Sequence, residues 1–537
     1  MSHLDDPIQQ GLQRGWRVLG GPHGAAPPTL PCDVAIIGSG AGAGITAELL
    51  TKAGLQVVIV EEGPLKSSRD FRQRESDAYP SLYQESAARK TADKAINILQ
   101  GRCVGGSTTV NWTSSFRTPG DTLEHWRSQF GLTEMTPLAM TPWFEQAERR
   151  LGIGPWLTEP NQNNELLRLG AARLGIPASS IQRNVKGCWN LGSCGMGCPT
   201  NAKQSMLVTT LPAALDKGAT LLVQMRAERL EWREGRVEAL HCVPVADNSA
   251  PTGGAGVRIT AKHFVVAGGA INSPGLLLRS GVPDPHGLAG KRTFLHPVVI
   301  SAATFADPVN GWDGAPQTLY TDHFLQTQPL TGPIGYKLEA PPLHPVIFSS
   351  TLAGHGRDQA NMLAEFPRTH SLLALMRDGF HPQSIGGSVA LRSDGTPVLD
   401  YPLNDFVMDG ARRAFLSMAE IQFAAGARSV VPVHEMAAPT SSWADARRQI
   451  EALPMKPLLT RVVSAHVMGG CPMAGSEAQG VVRPDGAHWQ LDNLSVHDGS
   501  LFPTSIGANP QLSVYGVATM LATRLAKRLT YRDVLLA

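Results

Sequence analysis

The feature that most constrains this chain is a short apolar run that breaks into glycines and then into a helical pattern. Cys32-Asp-Val-Ala-Ile-Ile37 leads into Gly38-x-Gly40-x-x-Ala43, with a further glycine at Gly42. Ile45 to Ala53 carries helical spacing and Gly54 closes it, and Leu55 to Val60 is a second apolar run ending at Glu61. The order predicts strand, turn, helix and strand. In that setting the glycines let backbone approach a pyrophosphate, and the helix N-terminus offers partial positive charge to it. Glu61 stands where an acid accepts hydrogen bonds from ribose hydroxyls. The motif predicts a dinucleotide but does not separate NAD from FAD.

The rest of the chain is read around that unit. With 537 residues it is long enough to bury a large core and a cofactor. Charged residues are 17% of the chain, below the usual ~25%, so much surface is expected to be buried in the fold, on a cofactor or against a partner. The net charge is +2 with no basic block, which gives no reason to expect a nucleic acid. No stretch approaches the ~20 apolar residues of a membrane span, and the N-terminal residues lack the pattern of a secretory signal. Asp6-Pro7 reads as a helix start, with Ile8, Leu12, Trp16 and Leu19 expected on one face.

Further along, residues 64–100 are polar and show no clear strand, and helical pieces are expected at 142–151 and 163–174. His263 to Gly269 is an apolar run that ends in glycines and opens a helix, 300–460 reads as short and strand-like, and Gln511 to Leu529 reads as a long amphipathic helix. A nucleotide-binding domain assembled from several segments and interrupted by a substrate domain fits this pattern.

Residues 101–112, Gly101-Arg-Cys-Val-Gly-Gly-Ser-Thr-Thr-Val-Asn-Trp112, resemble the flavin-side loop of glucose–methanol–choline (GMC) oxidoreductases. Gly269-Ala-Ile-Asn-Ser-Pro274 through Gly281 is similar to the second signature of that family, though Pro283 replaces an expected glycine. Asp498-Gly-Ser-Leu-Phe-Pro-Thr-Ser-Ile-Gly-Ala-Asn509-Pro-Gln-Leu512 resembles its C-terminal flavin loop. The resemblance implies an α/β fold: a Rossmann-like FAD-binding domain of discontinuous segments, with an inserted α+β substrate domain containing a mostly antiparallel sheet. The expected division is 1–30, N-terminal helix and linker; 31–135, 200–300 and 464–537, FAD-binding; 136–199, cysteine-bearing segment; 301–463, substrate domain.

On that resemblance the FAD is held by Gly38, Gly40, Gly42, Ala43, Glu61, Arg102, Gly105, Gly106, Ser107, Asn111, Gly268, Asp498, Gly499, Asn509, Pro510 and Gln511. Some members bond FAD covalently through a histidine just before the asparagine; that position is Val110 here, so the expected FAD is non-covalent. Ser-Ala-His466-Val-Met-Gly-Gly-Cys471 looks like the family's active-site stretch, with Gly470 where threonine is usual. It implies that His466 takes the proton of a substrate alcohol as hydride leaves for the flavin. Asn509, an amide and no base, is expected to orient the alcohol oxygen. His296 and His497 also lie in matching segments and are weaker candidates for contact with substrate.

Cys188, Cys194 and Cys198 sit within eleven residues of one another. Their spacing resembles that of membrane-linked sugar dehydrogenases in the same family, which hold a three-iron cluster, and their flanks also resemble long-chain alcohol oxidases. An iron–sulfur cluster is the leading expectation, with buried thiols or a zinc site as alternatives. A cluster would make the chain a dehydrogenase passing electrons to a cytochrome or quinone, beside a small accessory subunit. Without one it would be an oxygen-using oxidase. A sugar or polyol dehydrogenase and a non-catalytic electron-transfer subunit are the other readings. The expected location is cytoplasmic, with export to the periplasm alongside a signal-bearing partner as the alternative.

Overall fold

The computed structural model describes residues 4–352 and 355–536. Its first large sheet is built on the strand Thr29–Ile37, which pairs in parallel with Val57–Val60 on one side and Val257–Val266 on the other. Val34 to Ile37 and Val57 to Val60 are buried residue after residue. Unbroken apolar runs are what a parallel sheet covered on both faces requires. Thr220–Leu222 and Arg17–Leu19 extend the sheet beyond Val57–Val60, and Leu494–Val496 joins the far half of Val257–Val266. The hairpin Met225–Arg233 and Arg236–Pro244 completes it in antiparallel sense.

The helix Ala41–Lys52 packs on this sheet, and the helix Gln511–Thr530 packs on that helix. Both are buried along most of their length, so the nucleotide turn and the end of the chain share one core.

A second large sheet has the order Ile96–Ile98, Val462–Ser464, Val298–Thr304, Thr369–Met376, Tyr336–Glu339, Leu319–Thr321 and Ser179–Ser180, with Ser429–Pro432 alongside Val298–Thr304. All its pairings are antiparallel except that of Ile96–Ile98 with Val462–Ser464. It has its own core, closed by the helix Asp405–Ala425. Asn404 caps that helix by accepting from the Val407 N–H, and Gly426 ends it at φ 103°. The architecture is the mixed α/β fold expected, a nucleotide-binding unit interleaved with a second, mostly antiparallel one.

Local expectations differ from the structure in several places. The N-terminal helix is only Pro7–Gln13, capped by Asp6, which accepts from the N–H groups of Ile8 and Gln9. Gly15 turns the chain at φ 93°, and Arg17–Leu19 becomes an edge strand, so Trp16 and Leu19 do not share a helical face with Ile8. Trp16 instead donates to Asp216, at 2.7 Å. The polar stretch 64–100 does contain a strand, Ile96–Ile98, fixed by long-range pairing rather than by its own sequence. The region 300–460, read as strand-like, holds the 21-residue helix Asp405–Ala425.

Candidate active site

A single cavity of about 760 Å³ runs from the glycine turn to the start of the last helix. At one end its wall is Gly38, Ser39, Gly40, Gly42 and Glu61; at the other it is His466, Asn509, Pro510 and Gln511. Strand ends and helix starts converge here because the chain leaves each parallel strand at the same edge of the sheet.

The turn is as tight as the motif requires. Gly38 has φ 103°, and a Cβ there would lie 2.3 Å from the Ala267 carbonyl oxygen. A Cβ on Gly42 would lie 1.5 Å from the carbonyl oxygen of His497, so the helix can approach the C-terminal loop only through a glycine. Gly40 begins the helix Ala41–Lys52 with no side-chain cap, which leaves its first N–H groups for a phosphate.

Glu61 is buried and accepts from Ser39 Oγ at 2.5 Å and from Gly63 N at 2.8 Å. Ser39 Oγ in turn accepts from Gly105 N at 3.0 Å, tying the turn to the loop 101–112. Burial raises the Glu61 carboxyl above its usual range, and the bonds from Ser39 and Gly63 act the other way.

Gly106, Ser107, Asn111, Gly268, Asp498 and Gly499 also line the cavity. Asp498 accepts from Gly269 N at 2.7 Å and from Ser273 Oγ at 2.5 Å, so it joins the second and third signature segments. Asn111 Nδ2 donates to Gln511 Oε1 at 2.6 Å, which fastens the loop 101–112 to the last helix.

Three expected cofactor residues stand behind the wall instead. Ala43 is wholly buried in the helix. Gly105 packs against Leu207 and Thr109. Arg102 spends its guanidinium on the carbonyls of Ala246 and Asp247, at 2.9 and 2.6 Å, holding a hairpin loop rather than a ligand. His497 is also internal, with Nδ1 3.0 Å from Thr46 Oγ1.

At the catalytic end, part of His466 opens into the cavity, yet the ring lies deep enough that burial, then the Lys337 ammonium, pushes it down to about 3. Its Nδ1 is 3.4 Å from Nδ1 of His296. Ser464 Oγ ties their two segments together, donating to Leu295 O at 2.5 Å and accepting from His466 N at 3.2 Å.

Asn509 is held by groups that the sequence reading missed. Lys337 Nζ donates to its Oδ1, and its Nδ2 donates to Glu339 Oε2 at 3.3 Å. Lys337 and Glu339 form a buried ion pair at 2.7 Å, Gln317 Nε2 donates to Glu339 Oε2 at 2.5 Å, and the ammonium lies 3.7 Å from the Phe116 ring centroid. Lys337 and Glu339 lie on the strand Tyr336–Glu339, which is buried between Leu319–Thr321 and Thr369–Met376 in the second sheet.

The expectation that Cys188, Cys194 and Cys198 ligate a cluster finds no support in their arrangement. Among the described residues no group of three or more His, Cys, Asp or Glu is arranged to hold a metal. Each sulfur has its own neighbour: Asn190 N for Cys188 at 3.4 Å, Arg183 Nη2 for Cys194 at 3.9 Å, Thr200 Oγ1 for Cys198 at 3.4 Å. The segment is anchored through its backbone. Lys203 Nζ donates to the carbonyls of Cys194, Thr109 and Asn111 at 2.7–2.8 Å, and Tyr83 OH donates to Gly195 O at 2.6 Å. These bonds make the cysteine segment a brace for the wall that carries Asn111 and Trp112.

The residues fit an FAD: a glycine turn that only glycine can make, an uncapped helix start, an acid at the strand end, and a second helix start at the far end of the same cavity. Comparison with known proteins agrees. The two GMC oxidoreductase family models match residues 79–298 and 382–518, and the chain belongs to that family of flavoprotein oxidoreductases. It is 27% identical over 525 residues to the long-chain-alcohol oxidase FAO1 of Arabidopsis thaliana, covering 94% of this chain and 68% of the relative. It is 29% identical to the uncharacterized GMC-type oxidoreductase y4nJ of Sinorhizobium fredii, covering 92% and 94%. The fold matches pyridoxine 4-oxidase from Mesorbium loti with TM-score 0.68 at 19% identity, over 92% of this chain and 99% of that one.

Proposed function

We propose that the chain oxidises a primary or secondary alcohol to an aldehyde or ketone with non-covalent FAD, and that dioxygen takes the electrons. The observation that carries the reading is that His466 and Asn509 line the same cavity as the nucleotide turn. Bound FAD supplies the hydride acceptor.

The protein's own groups do the rest. His466 is neutral at physiological pH, so it can take up the hydroxyl proton at Nε2, the nitrogen that does not face His296, whenever that nitrogen is bare. Protonation beside Lys337 is unfavourable until negative charge develops on the substrate oxygen, which couples proton uptake to the reaction. Asn509 has its carbonyl oxygen and one N–H engaged by Lys337 and Glu339, leaving its other N–H to donate to the alcohol oxygen. The helix Gln511–Thr530 starts at that end without a side-chain cap, and its partial positive charge favours negative charge there.

A long-chain primary alcohol is the favoured substrate class. The Arabidopsis relatives carry that name, and Leu99, Trp112, Val467 and Met468 give the same cavity apolar walls. Dioxygen is favoured as acceptor because those relatives are named oxidases and the three cysteines present no cluster ligand set. The test is to load the protein with FAD and supply alcohols of increasing chain length in air. Aldehyde and peroxide in equal amounts, rising with chain length, are expected. Aldehyde formed only with an artificial electron acceptor would overturn the choice of dioxygen, and no aldehyde with either would overturn the reading.

A further inference from the structure

Resting on that reading, we infer that His296 is a positioning residue that sets which nitrogen of His466 carries the proton, through a one-way chain of donors anchored on the Gly507 backbone. The Gly507 N–H is a donor by its chemistry and meets His296 Nε2 at 3.0 Å, so that nitrogen is the acceptor. Neutral His296 then carries its proton on Nδ1, and Nδ1 faces Nδ1 of His466 at 3.4 Å. His466 Nδ1 is therefore the acceptor of that bond, and a neutral His466 must hold its proton on Nε2. The backbone N–H, the His296 N–H and the His466 N–H all point the same way.

The consequence is chemical. In the resting arrangement His466 offers a donor, not a lone pair, at the nitrogen that serves the alcohol. With the N–H of Asn509 it makes a two-donor cradle for an oxygen bearing negative charge. Taking up the hydroxyl proton at Nε2 requires His466 to carry its other proton on Nδ1, where it collides with the His296 N–H. The base form appears only when the His296–Gly507 bond opens. His296 thus separates an oxygen-holding state from a proton-accepting state of the same site.

The placement of His296 is over-determined, which argues against an incidental contact. Its backbone lies in the left-handed region at φ 44°, which a residue with a side chain adopts only when held there. Asp378 holds it, accepting from Leu295 N and His296 N at 3.1 Å each, and is itself fixed by Tyr401 OH at 2.7 Å. The charged and titratable groups around the two rings are Lys337, Arg377 and Asp378; both cations disfavour a second proton on His296.

The direct test is nitrogen-15 NMR of histidine-labelled, FAD-loaded protein without substrate, with His466→Gln used to assign the His466 signals. The proposal expects a protonated Nε2 and a bare Nδ1 on His466. A proton on Nδ1 with a bare Nε2 would overturn it, whether or not the protein oxidises alcohols. The second measurement is the pH profile of His296→Phe, which removes the donor to His466. A change in kcat of at least threefold is expected, with a new ionisation in kcat/KM between about pH 5 and 7 and KM within twofold. An unchanged profile, or kcat and KM lost together with bound FAD, would assign His296 to structure alone. A fully active His466→Gln variant would instead defeat the assignment of His466 as the proton acceptor, leaving the tautomer result standing, and a wild type that forms no aldehyde would defeat the alcohol-oxidation reading.

Discussion

Lys337 and Asn509 meet behind the cavity, the ammonium donating to the amide oxygen, so an ion pair that does not line the cavity decides how the Asn509 amide faces. Lys337 also contributes to holding His466 unprotonated, after burial itself. The two side chains proposed for catalysis, His466 and Asn509, thus share one charged neighbour.

Replacing Lys337 alone by Met leaves Glu339 buried and unpaired, and we expect a loss of about 3–5 kcal/mol of stability. Replacing both partners, Lys337→Met with Glu339→Leu, should restore most of it. Asn509 is then free to turn, so kcat/KM should remain about tenfold below the wild type. Chemical denaturation and steady-state kinetics on the single and double variants separate the two effects.

His466→Ala should lower kcat by about 10²–10⁴ with FAD still bound and KM little changed, because it removes the proton acceptor without touching the nucleotide end. A loss of flavin in proportion to the loss of activity would place the residue in the fold instead.

Gly42→Ala puts a methyl group where the His497 carbonyl oxygen already lies. Something must shift, and both the last helix and the nucleotide turn are packed there. The expected result is a fall in melting temperature of several degrees and loss of FAD, read by a thermal melt with and without added FAD.

His370, His466 and His497 are pushed down to about 3, in each case chiefly by burial, and His488 to about 4. A buried neutral histidine binds its proton only after unfolding, so its contribution is complete above the unfolded value near 6.5 and is lost as pH falls below it. Each should cost about 1.4 kcal/mol per pH unit below 6. Asp378 and Glu61, raised by burial, act in the opposite sense. Melting temperature should therefore fall between pH 7 and 5, and His497→Asn should flatten the fall; a melting temperature that rises toward pH 5 would contradict this.

How much of this was legible from residues alone differs by region. The nucleotide turn was, because its chemistry is local: a tight glycine turn between a buried strand and a helix leaves its mark within thirty residues. That His466, Asn509 and Gln511 line one cavity was legible too, through motifs that lie close to one another in the chain. Lys337, Glu339 and Gln317 were not, because their role comes from burial in the centre of a sheet whose partner strands are far away in sequence. The cysteine spacing suggested ligation, but Arg183 and Lys203, which hold that segment in place, lie outside the spacing that was read. Arg102 shows the converse error, a residue inside a recognised loop whose guanidinium turns away to two carbonyls.

Alcohol oxidation at the His466–Asn509 end of an FAD-holding cavity is the proposal from which the others follow. It is tested most directly by mixing FAD-loaded protein with a long-chain primary alcohol in the absence of oxygen and following the flavin absorbance. Full bleaching is expected in the wild type, slowed by about 10²-fold or more in His466→Ala at the same flavin content. Flavin that stays oxidised across a panel of alcohols, or that bleaches equally fast without His466, would contradict it.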